Sequence, residues 1–500
     1  MWNLIRKTGE FLINQQSNEM DTFIKNTETV SKILSSGAID ETSNLYKSFN
    51  YIKTKLFDEC DSDDKKFLNY LIENSVLLKF AELLTKQTPS EHIIPTLEFF
   101  LIFFSQKLKD NLPHVSIHSA ITNILTKLEP LNFKCPNEVN EFALNIWDAC
   151  TKDFIILEMM TTLNDKQEKV YPIINFFCDA STTFAKIGSK ARDIILFIFT
   201  KNPENPDNIP HFLIEYTKNY LNPIIINVLK SIIGYVGTIQ FSGSLSKFLQ
   251  WVDQYLLLSN DFQIQNVFYA FDELSTYQKL ICLSFYLSTF IAPVIIDYVV
   301  EFAHSENIIK MIYDSLSIEN NDEKNVEASI ILLKAITKYP KLLPYYLPKI
   351  NQKIIDILSF LPSQWLVVND GPSSLESYEH DAITRMNSYT QRTEDGFNDE
   401  MYSRILYVLK EFQKLSISCA LSITQLISIL ISIAPDLIND ELANVVKEII
   451  IPYKDVETVK ISNFSQLKDS KELRATILCE FAKEIHGTFI ASEKLKIINN

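Results

Sequence analysis

Glycine is scarce in this chain: nine of 500 residues, against ~7% in average usage. Tight hairpins draw on glycine for positive φ, so the shortage argues against an all-β fold. Basic residues are outnumbered, with 47 Lys and Arg against 62 Asp and Glu, a net charge of −15 and a pI near 5.1. No Lys/Arg cluster interrupts this balance, which disfavours nucleic acid and anionic membrane, both bound through basic patches. Long apolar runs are missing too. The longest nearly uncharged stretches, Phe290–Ile296 and Ile423–Ala434, fall short of the ~20 residues that span a bilayer. No two of the seven cysteines have C-x-x-C spacing, and "MWNLIRKTGEFLINQQ" holds too short an apolar run for a secretory signal. Reduced thiols in a cytoplasmic protein are the expectation. P-loop, G-x-S-x-G and kinase signatures are absent, so no catalytic or cofactor-binding residue is assigned and no cofactor is expected.

What the chain does contain is helical periodicity. Ile93, Leu97, Phe100, Leu101, Phe104 and Leu108 fall at offsets 0, 4, 7, 8, 11 and 15, one face of an α-helix. Phe99, Ile102 and Phe103 make the opposite face apolar, which predicts a helix covered on both sides. Leu112-Pro113 stops it. A second helix follows with Ile117, Ile121, Ile124, Leu125 and Leu128 on one stripe. Similar stripes recur: Val139, Phe142, Ile146 and Cys150; Ile173, Phe176, Phe177, Ala180 and Phe184 after Pro172. Pro223 and Pro348 precede two more, Ile225–Val236 and Ile350–Leu361, prolines reading as helix starts. No strict repeat length is visible. The fold class expected is all-α, an irregular α-solenoid of stacked helices of armadillo/HEAT type.

Four segments follow from composition. Residues 1–57 form N-terminal helices ending pieces near Gly37, 58–361 the main solenoid, and 401–500 a C-terminal helical segment continuing it. Between them, 369–400 carries eight Asp/Glu against two Arg, with Gly, Pro and four Ser. Such a stretch buries too little to offset its ordering entropy, and reads as a flexible linker, a disordered insertion or a partner-binding loop. The last residues are expected to fray.

Three places invite chemistry. His114 and His118 stand four apart, as two metal ligands on one helical face would, but lack the zincin Glu and a third ligand nearby. Capping the turn is the preferred role, and no metal site is assigned. Asp58-Glu59-Cys60-Asp61-Ser62-Asp63-Asp64 hints at a calcium loop, but the sixth and twelfth places from Asp61 hold Lys66 and Ile72, where Gly and a bidentate Glu are needed. An acidic turn complementing a helix dipole fits better. Arg192-Asp193 precedes the apolar Ile194–Phe199. Asp193 is expected in a first helical turn and Arg192 to reach a neighbouring carboxylate.

Several of these blocks resemble one family. "FLNYLIENSVLLKFAELL" (67–84), "LEFFLIFFSQKL" (97–108) and Leu112-Pro113-His114-Val115-Ser116-Ile117-His118 are similar to the opening block of the FHIP (FTS- and Hook-interacting protein) family. Ala191-Arg192-Asp193 with its apolar sequel and the run Tyr402–Ile438 ending "ISIAPDLI" fit the same family in the same order. The resemblance implies a non-enzymatic adaptor. Its implied partners are a Hook-type coiled-coil adaptor, a ubiquitin-conjugating-like FTS subunit and a GTP-bound early-endosomal Rab. The implied setting is cytoplasmic with peripheral recruitment to early endosomes, linking them to dynein transport. Partner-contact residues are not carried over, and the motif positions read as structural. The competing reading is another helical scaffold, a HEAT/armadillo-type transport receptor or a vesicle-tethering subunit.

Overall fold

A computed structural model describes the chain apart from Met1 and residues 61–64, 184–185, 201–210, 236–242, 260–264, 269–270, 272, 318–322, 348–353, 355, 358–361, 363–364, 366–373, 389–398, 457–469 and 500. It is all-α, with helices stacked in the manner of an irregular solenoid. Two compact units, Met1–Ile224 and Ile225–Asn500, divide it, a different cut from the four segments read in the sequence. The first holds α1 (Trp2–Ser36), α2 (Thr42–Asp58), α3 (Lys66–Glu73), α4 (Val76–Leu83), α5 (Ser90–Leu101), α6 (Val115–Leu125) and α7 (Leu128–Asn132). It continues with α8 (Pro136–Lys152), α9 (Phe154–Met159), a hairpin of β1 (Thr162–Leu163) and β2 (Lys169–Val170), α10 (Pro172–Ser181) and α11 (Lys186–Thr200). The division falls inside α12 (His211–Tyr235). The second unit holds α13 (Gly243–Ser259), α14 (Gln265–Phe268), α15 (Thr276–Thr289), α16 (Pro293–Ala303), α17 (Glu306–Ser315) and α18 (Glu323–Ile336). It ends with α19 (Leu343–Tyr346), α20 (Leu375–Ser388), α21 (Asp399–Lys410), α22 (Ile417–Ile433), α23 (Asp440–Ile450) and α24 (Lys471–Asn499).

The stripes bury as their spacing requires. In the first unit Phe49, Phe80, Phe99, Phe100 and Phe103 form one buried aromatic cluster, with Phe49 and Phe99 stacked at 4.8 Å. Helix α5, however, ends at Leu101, and 3₁₀ turns at Ile102–Phe104 and Lys109–Asn111 carry the chain to Leu112. The predicted single helix to Leu108 fails because the Ser105 hydroxyl donates to the Ile102 carbonyl at 2.5 Å, a local bond that competes with the helical ladder. Pro172 starts α10 as expected, whereas Pro223 lies inside α12. Both Pro223 and Asn219, whose carbonyl the ring frees, face outward, so water can replace the lost bond. The stripe after Pro348 falls largely outside the described residues, although Ile357 is buried.

Helix ends are closed by side chains from elsewhere in the chain. Lys127 Nζ donates to the Ala81 carbonyl at 2.9 Å, Lys134 Nζ to Thr88 at 2.9 Å, Tyr339 to Leu287 at 2.6 Å, and Tyr346 to Ala303. Arg474 donates to Phe412 at 2.8 Å and Leu415 at 2.7 Å from a buried position. Several of these bonds span similar lengths of chain: Ile72 to Ser116 is 44 residues, Ala81 to Lys127 46, Thr88 to Lys134 46 and Ala303 to Tyr346 43. That matches the ~40–47 residues of two- and three-helix repeats. A hidden quasi-period therefore exists where residue types reveal none.

The acidic stretch is where the sequence reading needs correction. Within 369–400, residues Leu375–Ser388 form α20, packed along α24 and not a linker. Tyr378 and Ala382 are buried, Glu379 pairs with Lys494, and Tyr378 bonds Glu480. Helix propensity and partners across α24 supply what composition alone withheld. The C-terminus also differs from expectation, since α24 runs on to Asn499.

Two measurements test this architecture. Arg474→Met leaves the Phe412 and Leu415 carbonyls without their charged donor, and should lower unfolding free energy in urea by about 2–4 kcal/mol, with Arg474→Lys recovering part. Glu484 concerns pH. Burial raises its pKa above 4.5, Ser428 and Arg385 pull the other way, and Glu480 and Asp381 raise it further. The folded carboxyl thus holds its proton longer than the unfolded one, so stability falls as pH rises from 4.5 through the raised value. Glu484→Gln should raise the melting temperature at pH 7–8, with the gain shrinking toward pH 4.5.

Candidate interaction groove

The turn Leu112–His118 holds an exposed run between two buried anchors. Leu112 and Ile117 are buried, while Pro113, His114 and Val115 face outward, Val115 at 67% exposure. His114 is the N-cap of α6: its Nδ1 accepts the Ser116 backbone N–H at 3.3 Å, meeting one of the four donors a helix start leaves open. The Ser116 hydroxyl donates to the Ile72 carbonyl at 3.4 Å, tying α6 to α3. Burial depresses the His118 pKa below the usual imidazole value, His114 adds to this, and a hydrogen bond to the Met159 backbone opposes it. Among the described residues no group of three or more His, Cys, Asp or Glu could hold a metal ion.

The other singled-out residues lie elsewhere and act on helix ends. Ala191 is buried, and Arg192 donates to the Ser181 carbonyl at 2.8 Å and the Thr183 carbonyl at 3.0 Å. These contacts close the C-terminal end of α10, where a cation is favoured. Arg192 and Asp193 sit in the middle of α11 and not in its first turn, because the helix already begins at Lys186. Gly188 permits that early start: a Cβ there would lie 2.2 Å from the Thr183 carbonyl oxygen. In the acidic patch, Glu59 is buried and its carboxylate accepts the N–H groups of Phe67 at 2.9 Å and Leu68 at 2.6 Å. It is a remote cap for α3. Residues 61–64 lie outside the described residues.

The turn also walls a groove. Leu101, Phe104, Leu112, Ala149, Ile156 and Met159 line a cavity of about 850 Å³, with Pro113 and Ile155 at its lips. Ile155 is 61% exposed, an uncommon position for a large aliphatic side chain beside a concave apolar surface. Asn145 and Asp148 also line a second hollow of about 510 Å³ that runs along α8 toward Asn137. Part of the charged rim is satisfied internally: Lys152 pairs with Asp148 at 2.6 Å, and Asp153 caps α9 by accepting the Ile155 N–H at 3.0 Å, while Lys109 and Asp110 also line the cavity. What the groove offers a ligand is therefore apolar contact along its floor, with charged and amide groups along its rim.

Sequence reasoning singled out Leu112 and Pro113 and the buried stripe of α8, but missed the groove-lining face of α8 and Ile155. Two signals were present. Asn145, Asp148, Ala149 and Lys152 fall at offsets 0, 3, 4 and 7, opposite the buried Phe142–Ile146 stripe. The run Phe154-Ile155-Ile156-Leu157 is too short a helix to bury every member.

Three of the buried thiols are unsuited to nucleophilic chemistry. Burial pushes Cys150 and Cys419 up to about 12 and Cys479 to about 11, far from the thiolate range of a nucleophile. No helix among the described residues is long and apolar enough to cross a membrane. Compared with protein-family models and with curated proteins, the chain finds no match.

The motif turn makes a direct prediction. Replacing buried Leu112 or Ile117 with Ala should cost about 2–4 kcal/mol of stability in chemical unfolding, and Val115→Ala under 0.5 kcal/mol.

Proposed function

We propose that this chain is a non-enzymatic adaptor, a stacked-helix scaffold that holds a partner's helix in the groove between Pro113 and Ile155. The supporting observation is that groove itself: an apolar floor, apolar lips and a rim on which Lys152 is already paired with Asp148. Such a surface suits the apolar stripe of an amphipathic or coiled-coil helix. The same turn, Leu112–His118, is the most specific part of the resemblance to the FHIP family. On that reading the occupant is a Hook-type coiled coil. A ubiquitin-conjugating-like FTS subunit and a GTP-bound early-endosomal Rab bind other surfaces, and the complex couples early endosomes to dynein.

Two further points favour recruitment through proteins over direct lipid contact. The net charge is −15, which opposes anionic membrane surfaces, and no described helix could cross a bilayer. A transport receptor for basic signals is the weaker reading, because Lys109 and Lys152 stand on the rim and Asp148 and Asp153 are occupied.

Affinity capture on the full chain tests the proposal. A Hook-type coiled coil and a ubiquitin-conjugating-like protein should co-purify, and Rab retention should require GTP. Ile155→Glu should cut Hook recovery about tenfold, the effect of losing one interface anchor, without changing the circular dichroism spectrum. Normal endosome motility in a deletion strain, with no Hook-type protein captured, overturns it.

A further inference from the structure

We propose that the hollow between α8 and α11 is a second docking site, built for an extended peptide segment that carries one cationic and one anionic side chain two residues apart. It is independent of what fills the apolar groove on the other flank of α8, and its chemistry differs. Leu144 and buried Ile187 give it a small apolar floor, while Asn137, Asn140 and Glu141 of α8 and Lys190 of α11 surround that floor with polar groups. Trp147 meets Phe197 edge to face at 6.5 Å, so α8 and α11 lie side by side, offset by 50 positions. The lining they share shows that they run the same way. Lys190 is therefore level with Asn140 and Glu141.

The bonding capacity at this level is unspent. The Asn140 Oδ1 is buried and has no hydrogen-bond partner among the described residues, a costly state for an acceptor unless something donates to it. Glu141 and Lys190 are exposed, and neither side chain makes an ion pair or hydrogen bond among the described residues, although Lys152 and Asp148 one flank away do pair. A buried acceptor, a free anion and a free cation fit one kind of ligand. A main-chain N–H of a peptide meets Asn140, and the Asn137 amide, which both donates and accepts, holds the adjoining peptide unit. Helices packed side by side are about 8–10 Å apart, and alternate side chains of an extended chain leave the same face about 6.8 Å apart. A segment crossing from α8 to α11 thus offers a Lys or Arg to Glu141 and an Asp or Glu to Lys190 at once. A simple ion answers only one of these charges, and a helix keeps its N–H groups for its own carbonyls.

Fluorescence anisotropy on the full chain tests the site. Two fluorescein-labelled pentapeptides, Ser-Lys-Ser-Glu-Ser and Ser-Glu-Ser-Lys-Ser, cover both directions of crossing. One of them should bind with a Kd below about 1 mM and at least about tenfold more tightly than Ser-Ala-Ser-Ala-Ser. Glu141→Gln should remove the preference for Lys over Ala in the peptide, and Lys190→Gln the preference for Glu over Ala. Both residues are exposed, so neither change should disturb the fold. Asn140→Leu should weaken the better peptide about tenfold with an unchanged circular dichroism spectrum, and Ile155→Glu should leave it unaffected. Failure of both peptides to bind, or binding that Glu141→Gln and Lys190→Gln leave unaltered, overturns the proposal. Loss of binding in Ile155→Glu places the peptide in the apolar groove and overturns it equally.

Discussion

The orphan carbonyls at helix C-termini govern this architecture. Each helix leaves four of them, and the common remedy is a glycine just past the end in left-handed conformation. With nine glycines in the chain, that remedy is rare: Gly37, at φ +65, closes α1 in this way. Elsewhere long cationic or phenolic side chains reach across. Lys127 serves α4, Arg192 serves α10, and Tyr346 serves α16. Remote carboxylates do the matching work at N-termini: Glu59 at α3, Asp253 at α16 through Ile291 and Ala292, and Glu323 at the Ser416 N–H before α22. Positive groups thus meet the negative ends of helices and negative groups the positive ends. Where such a bond links elements a repeat apart, as Lys127 and Tyr346 do, local capping and long-range stacking become one interaction.

That arrangement explains what could be read from the sequence. Helix type and buried faces were legible, since a 3.6-residue stripe such as Val139, Phe142, Ile146 and Cys150 has only one way to bury. Helix ends were less so. Arg192 in mid-helix, Glu59 before α3 and Pro223 inside α12 depend on which partner lies opposite, and a single sequence does not encode that partner locally. The quasi-period of 43 to 46 residues stayed hidden for the same reason. It resides in capping geometry carried by Lys, Tyr or Ser in turn, not in a recurring residue type.

The groove was half legible. Leu112 and Pro113 announced a turn, but the wall opposite comes from α8 and α9, some 40 residues on. One turn then carries two demands. Leu112 and Ile117 must stay buried to hold α6, while Pro113 and Val115 remain exposed. Two buried anchors flanking an exposed run meet both, and this makes the turn more constrained than either role alone would.

Polarity distinguishes the two contacts that α24 makes. Burying apolar area is non-directional and tolerates few alternatives once a core is packed, which suits α22 against α24. An interface of ion pairs and a tyrosine hydroxyl is different, because water can satisfy the same groups when the surfaces part. The acidic composition of 369–400 argues against order; helix α20 nonetheless orders by burying Tyr378 and Ala382 against α24, close to Gly487, and by exchanging water contacts for Glu480, Glu484 and Lys494. The polar part of that exchange adds little net stability; the close packing at Gly487 is what the composition alone does not show.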